Sequence, residues 1–124
     1  MRASPALLAL LLAACGPPAV PPASSAARAQ VHVTLYTTRW CPHCTRVRRW
    51  LRVRGIPFVD RDVERDSNAA AEHRRLEPDR VVPVIAIEGG GVVTGFRESE
   101  LRRRIDSAAH ARCRAAPAAV GCDG

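Results

Sequence analysis

The sequence predicts a single α/β domain, a four-stranded mixed sheet with helices on both faces, in the order β-α-β-α-β-β-α over residues 31–112. Three observations predict it. Alternating, β-branched stretches recur at 31–37, 56–63, 81–88 and 92–96. Stretches with helical apolar spacing fall between and after them, at 42–54, 66–76 and 98–112. A chain of 124 residues has the length of one domain.

Each element has a local cause. Residues 31–37, VHVTLYT, alternate and open the domain as a strand. Pro42 suits the first turn of the following helix, where its missing N–H costs nothing. Val47, Trp50, Leu51 and Arg54 repeat at helical spacing, Gly55 stops the helix and Pro57 keeps it from resuming. IPFVDRDV is the second strand, and DSNAAAEHRRL is a helix capped by Asp66 or Ser67. VVPVIAIE is the third strand, with a proline near its start. Gly89, Gly90 and Gly91 make a tight hairpin turn into VVTGF. The last helix, 98–112, turns Leu101, Ile105 and Ala108 toward the sheet and leaves Arg102, Arg103 and Arg104 solvated.

Composition narrows the function classes. Apolar residues make up 47% and charged residues 25%, ordinary for a globular protein. The net charge is +7, and all 19 basic residues are arginine. The arginines are scattered between acids and only 4% of residues are aromatic, so no stacking platform for nucleic acid is visible.

The first fifteen residues address the chain. A basic start precedes an apolar run from Ala6 to Ala14, too short to span a bilayer and suited to a secretory signal. Its end, Leu12-Ala13-Ala14-Cys15, resembles the lipobox of bacterial lipoprotein signals. The resemblance implies cleavage before Cys15, lipid on Cys15, and a membrane-anchored protein facing the periplasm or the outside. Ala27-Arg28-Ala29 is an alternative cleavage site, which would release a soluble periplasmic protein. Residues 15–30, rich in Pro, Ala and Ser, read as an extended tether, and 113–124 as a tail carrying two cysteines.

The chemistry centres on Cys41-Pro42-His43-Cys44. A disulfide exchanger needs one exposed thiolate and a second thiol to resolve the mixed disulfide. Cys41 sits just before a helix, facing its unpaired N–H groups, where the dipole stabilises a thiolate. Cys44 lies one turn further in and is expected to be more buried. Cys41 is thus the nucleophile and Cys44 the resolving thiol. His43 adds a donor or a charge near the Cys41 sulfur, and Arg39 adds positive potential, against the plain alternative of two solvated side chains. C-x-x-C at the first turn of a strand–helix–strand unit is the signature of a thioredoxin-like redox domain.

Across residues 31–109 the chain resembles the glutaredoxin family. The matching residues are Tyr36-Thr37-Thr38, the CPHC motif, Gly55-Ile56-Pro57-Phe58, Asp62-Val63-Glu64, Val82-Pro83-Val84 and Gly95-Phe96. The resemblance implies a thioredoxin-like fold of glutaredoxin type and thiol–disulfide oxidoreductase activity. It also implies a cis-proline at Pro83 and a substrate groove lined by Arg39, Trp40, Val82, Pro83, Gly95 and Phe96. The Val82 backbone would then pair with an incoming substrate. Pro-His between the cysteines is the pair found in periplasmic disulfide oxidases of the Dsb type. The pattern departs from glutathione-using members at Thr38, at Val81-Val82-Pro83 and at Gly95-Phe96-Arg97. The last of these looks more like glutaredoxin-like proteins that take electrons from thioredoxin reductase. Glutathione remains a candidate co-substrate beside protein dithiols and disulfides.

Cys113 and Cys122 are expected to form a structural disulfide in an exported protein, with a second redox pair as the sharper alternative. Two rival classes stay open. Cys41, His43 and Cys44, or four cysteines together, could hold zinc or copper(I). Alternatively, a thioredoxin-fold adaptor would use its cysteines only as staples. The favoured reading is a monomer that uses no metal or cofactor.

Overall fold

The computed structural model describes residues 19–122. The signal peptide expected at 1–14 and the lipidated Cys15 lie outside the described residues. Eight elements follow in order: α1 (Ser25–Arg28), β1 (Val33–Thr37), α2 (Pro42–Val53), β2 (Phe58–Asp62), α3 (Ser67–Leu76), β3 (Val84–Ile87), β4 (Gly91–Thr94) and α4 (Glu98–Ala115). The four strands form one mixed sheet in the order β2-β1-β3-β4. β1 runs parallel to β2, with Leu35 opposite Asp60, and antiparallel to β3, with Leu35 opposite Ile85. β3 and β4 form an antiparallel hairpin.

The pleat of β1 divides the interior. Val33 and Leu35 point to one face and pack with Val47 and Leu51 of α2, Ile85 of β3, Val93 of β4, and Leu101 and Ile105 of α4. Tyr36 points to the other face and packs with Ala69 of α3 and Val84. Helices therefore cover both faces, as the sequence predicts. Asp66 caps α3 through bonds from the backbone N–H groups of Asn68 and Ala69. Arg48 pins α2 to the sheet: it pairs with Asp60 of β2 and donates at 2.7 Å to the buried Thr37 hydroxyl, which itself donates to Asp60.

Two expectations are corrected. The stretch from residue 19 to 30 does not run as an extended tether. Ala23 and Ala27 are buried in the main core, and Ser24 caps the short α1. Asp106 on α4, itself 3% exposed, accepts from the Ala23 backbone at 3.3 Å and from Arg28 Nε at 2.7 Å. His110 of α4 lies 2.9 Å from the Pro21 carbonyl. Small side chains and a buried ion pair let this Pro- and Ala-rich stretch dock where composition alone suggests solvent. The second correction concerns the end of the chain. α4 continues to Ala115, so Cys113 sits on the last turns of the helix rather than in the tail.

The strands are also shorter than expected at the functional end. β3 begins only after Pro83, which has no N–H to give to the ladder, and β4 ends at Thr94. Val82-Pro83 and Gly95-Phe96 are thereby left in loops beside the start of α2.

Candidate active site

β1 ends at Thr37, and the chain turns into α2 with Cys41 as its N-cap and Pro42 in its first turn. Cys41 Sγ accepts a hydrogen bond from the Cys44 backbone N–H at 3.2 Å. The sulfur thus occupies the place a capping oxygen would fill, facing donors that have no partner within the helix. Cys41 and Cys44 are both free thiols. Cys44 is fully buried. Burial, and after it the hydrogen bond to Cys41, push its thiol up to about 12. Cys41 is also largely covered, at 4% exposure, so the expectation of an open sulfur is corrected. The Val82 carbonyl lies 4.0 Å from the Cys41 sulfur, while Pro42 and His43 beside it are exposed.

The Val82–Pro83 peptide bond is cis, and Pro83 is buried. Its carbonyl accepts from the Gly95 N–H at 2.7 Å, which ties the two loops together. Gly95 has φ of +75°, a conformation glycine adopts without steric cost. Cys41, Cys44, Val82, Pro83, Gly95 and Phe96 therefore gather at the carboxyl end of β1, where α/β folds commonly place ligands. Trp40 is 69% exposed, and its indole N–H donates to Glu64 at 2.8 Å. Arg39 leans toward Asp62 at 3.9 Å.

A family model described as glutaredoxin matches residues 33–92. The chain is 34% identical over 74 residues to an uncharacterized glutaredoxin-like 8.6 kDa protein in the rubredoxin operon of Clostridium pasteurianum, covering 60% of this chain and 97% of that one. It is 39% identical over 67 residues to a glutaredoxin of Neisseria meningitidis, covering 53% of this chain and 78% of the relative. The chain belongs to the glutaredoxin family. A solved glutaredoxin from Methanosarcina mazei shares the fold, with a TM-score of 0.54 at 22% identity over 69% of this chain and 84% of that one.

Two parts of this glutaredoxin site were not singled out from the sequence. His73 of α3 is buried, with Nε2 2.8 Å from the Val81 carbonyl, and so holds the loop that leads into Val82-Pro83. In sequence it is one polar residue in a helical stretch, and nothing marks it. Thr38 is buried beside the motif. The Thr38 hydroxyl finds no partner among the described residues. In sequence it closes the Tyr36-Thr37-Thr38 match and marks a departure from glutathione-using members, and neither points to a buried hydroxyl.

Cys113 and Cys122 are joined as a disulfide, with Cα atoms 5.1 Å apart. That pairing takes them out of any four-cysteine metal set. Among the described residues, no three His, Cys, Asp or Glu side chains gather as a metal-holding group.

Proposed function

We propose that this glutaredoxin is an extracytoplasmic thiol–disulfide oxidoreductase in which Cys41 attacks and Cys44 resolves. The observation that carries the reading is the asymmetry of the pair: Cys41 caps α2 and accepts from its amide, while Cys44 is buried and its thiol raised to about 12. Near neutral pH Cys44 stays a thiol, which leaves the attack to Cys41 at the helix cap.

In the reductive direction, the Cys41 thiolate attacks a substrate disulfide. The S–S bond breaks, one substrate sulfur leaves as thiolate and takes up a proton, and a Cys41 mixed disulfide remains. Cys44 then loses its proton and attacks the Cys41 sulfur, releasing the second substrate thiol. Two electrons pass from the pair to the substrate, and the reverse sequence oxidises a dithiol. The hydrogen bond and charge of Cys41 that help raise the Cys44 thiol disappear once Cys41 enters the mixed disulfide, which eases the second step. The Val82 carbonyl offers an acceptor to an extended substrate beside Cys41, and Pro83 shapes the groove. His43, exposed between the two cysteines, is placed to act on the departing thiolate as a donor. Protein dithiols and disulfides are the substrates, with glutathione as a candidate co-substrate. The protein acts as a monomer without metal or cofactor.

Membrane attachment through Cys15 completes the proposal. Cleavage after Ala29 would remove Ala23 and Ala27 from the core and Arg28 from Asp106, which favours processing before Cys15. A Cys113–Cys122 disulfide fits an oxidising compartment. Exchange with insulin or hydroxyethyl disulfide tests the activity: Cys41→Ser is expected to abolish it, and full activity in that variant would sink the reading. Radiolabelled palmitate incorporation, lost in Cys15→Ala, tests the anchor.

A further inference from the structure

The outer face of α2 carries charge that the redox cycle does not use. The helix holds four arginines and no acid. Arg48 is paired with Asp60, and the C-cap Arg54 with Glu98. Arg46 and Arg49, both exposed, have no carboxylate at ion-pair distance among the described residues. At the start of α4 pairing is the more common case: Arg97, Arg102 and Arg104 each hold a glutamate of that stretch, and Arg103 has no ion-pair partner among the described residues.

This cationic face is continuous with the redox pair. The Arg46 guanidinium lies 5.4 Å from the centre of the Phe96 ring. Phe96 follows Gly95, which is bonded to Pro83, and Pro83 adjoins the Val82 carbonyl beside Cys41. Arg46, Arg49, Trp50, Val53 and Phe96, with the mutually paired Arg54 and Glu98, line a groove of about 370 Å³. Val53 lies on its rim at 74% exposure, an apolar side chain left uncovered.

We propose that this groove docks a protein substrate carrying carboxylates close to its reactive cysteine. The carboxylates pair with Arg46 and Arg49, and an apolar neighbour covers Val53 and Phe96. The inference rests on the redox reading of Cys41 and Cys44 and names the substrate class for it. An arginine already stacked on an aromatic ring loses less freedom on pairing than a free one, and its planar fork matches a carboxylate. Rim charges of this kind act mainly on the encounter rate and its salt dependence.

The test compares exchange rates of the full chain with two peptide disulfides, identical except for Glu-Glu or Lys-Lys beside the cysteine. Each rate is normalised to that with uncharged hydroxyethyl disulfide in the same protein. At low salt the acidic peptide is expected to react about tenfold faster, with the advantage fading toward 1 M salt. In the double variant Arg46→Glu/Arg49→Glu the preference is expected to reverse. Equal normalised rates for the two peptides, or a preference that survives the double variant, would overturn the proposal. So would a variant that loses binding to phosphatidylglycerol vesicles while keeping the acidic-peptide preference, since the patch would then face lipid. If wild type fails on hydroxyethyl disulfide itself, it is the redox reading that falls, and this proposal with it.

Discussion

Cys41 and Cys44 are three residues apart yet chemically unequal, and the helix between them is the reason. Cys41 lies at the cap, where an amide points at its sulfur; Cys44 lies one turn inside, with its sulfur in the core. Three predictions belong to this scale. Iodoacetamide at neutral pH is expected to alkylate Cys41 first, read by peptide mass mapping. Cys44→Ser is expected to accumulate a mixed disulfide on Cys41 that Cys41→Ser cannot form. The third prediction concerns pH. The folded reduced protein keeps a proton on Cys44 up to about 12, while the unfolded chain releases it near 9. The native state therefore binds more protons across that window, and the stability from this group is lost as pH rises through it. Urea titrations of the reduced protein between about pH 8 and 11 are expected to show a decline that is shallower in the Cys44→Ala variant, where the raised Tyr36 hydroxyl still contributes.

At the scale of elements, α2 is held from below by Arg48, Asp60 and Thr37, which fixes its N-terminus under the sulfur. α1 is held differently, from the far end of the chain. From one side, Asp106 of α4 holds the Arg28 side chain and the Ala23 amide, and His110 meets the Pro21 carbonyl, so the stretch leading into α1 is gripped. From the other, the Ser24 hydroxyl donates to the Gly121 carbonyl at 2.8 Å. Gly121 has φ of +84°, and a Cβ there would meet the Ala27 nitrogen at 2.5 Å, so only glycine permits this approach. The Cys113–Cys122 disulfide ties this tail to α4. Asp106→Ala is expected to lower stability by about 1–3 kcal/mol, because Arg28 and the Ala23 amide lose a buried acceptor. Cys122→Ser is expected to cost about 2–3 kcal/mol through the freed loop. In both variants limited proteolysis should open first between residues 21 and 30. This docking was the least legible part of the sequence. Pro, Ala and Ser normally signal a solvated linker, and what reverses the signal is Asp106, about eighty residues away and buried only by the fold itself. Local signals served better: Pro42 at a helix start, the Asp66 cap, Gly55 at a helix end and the glycine hairpin turn each act within a few residues. The end of α4 is hard to read because Cys113 suggests tail chemistry, while Arg112–Ala115 continue the helix.

For the molecule as a whole, a small mixed sheet with helices on both faces brings four loops to one end. Two of them carry the cysteines and the cis-proline. The CPHC spacing, Val82-Pro83 and Gly95-Phe96 make that end legible in the sequence. The exposure of Cys41, the support from His73 and the unpaired arginines of α2 depend on packing and needed the structure. The central claim is that Cys41 and Cys44 form a reversible two-electron couple. Its most direct test is equilibration of the full chain in graded glutathione buffers, followed by acid quenching, alkylation and peptide mapping of each cysteine pair. The account predicts one Nernst transition in the Cys41–Cys44 peptide, with a midpoint between the potentials of strong periplasmic oxidants and of thioredoxin, about −120 and about −270 mV. Cysteines 41 and 44 that remain unlinked at every glutathione ratio would contradict it.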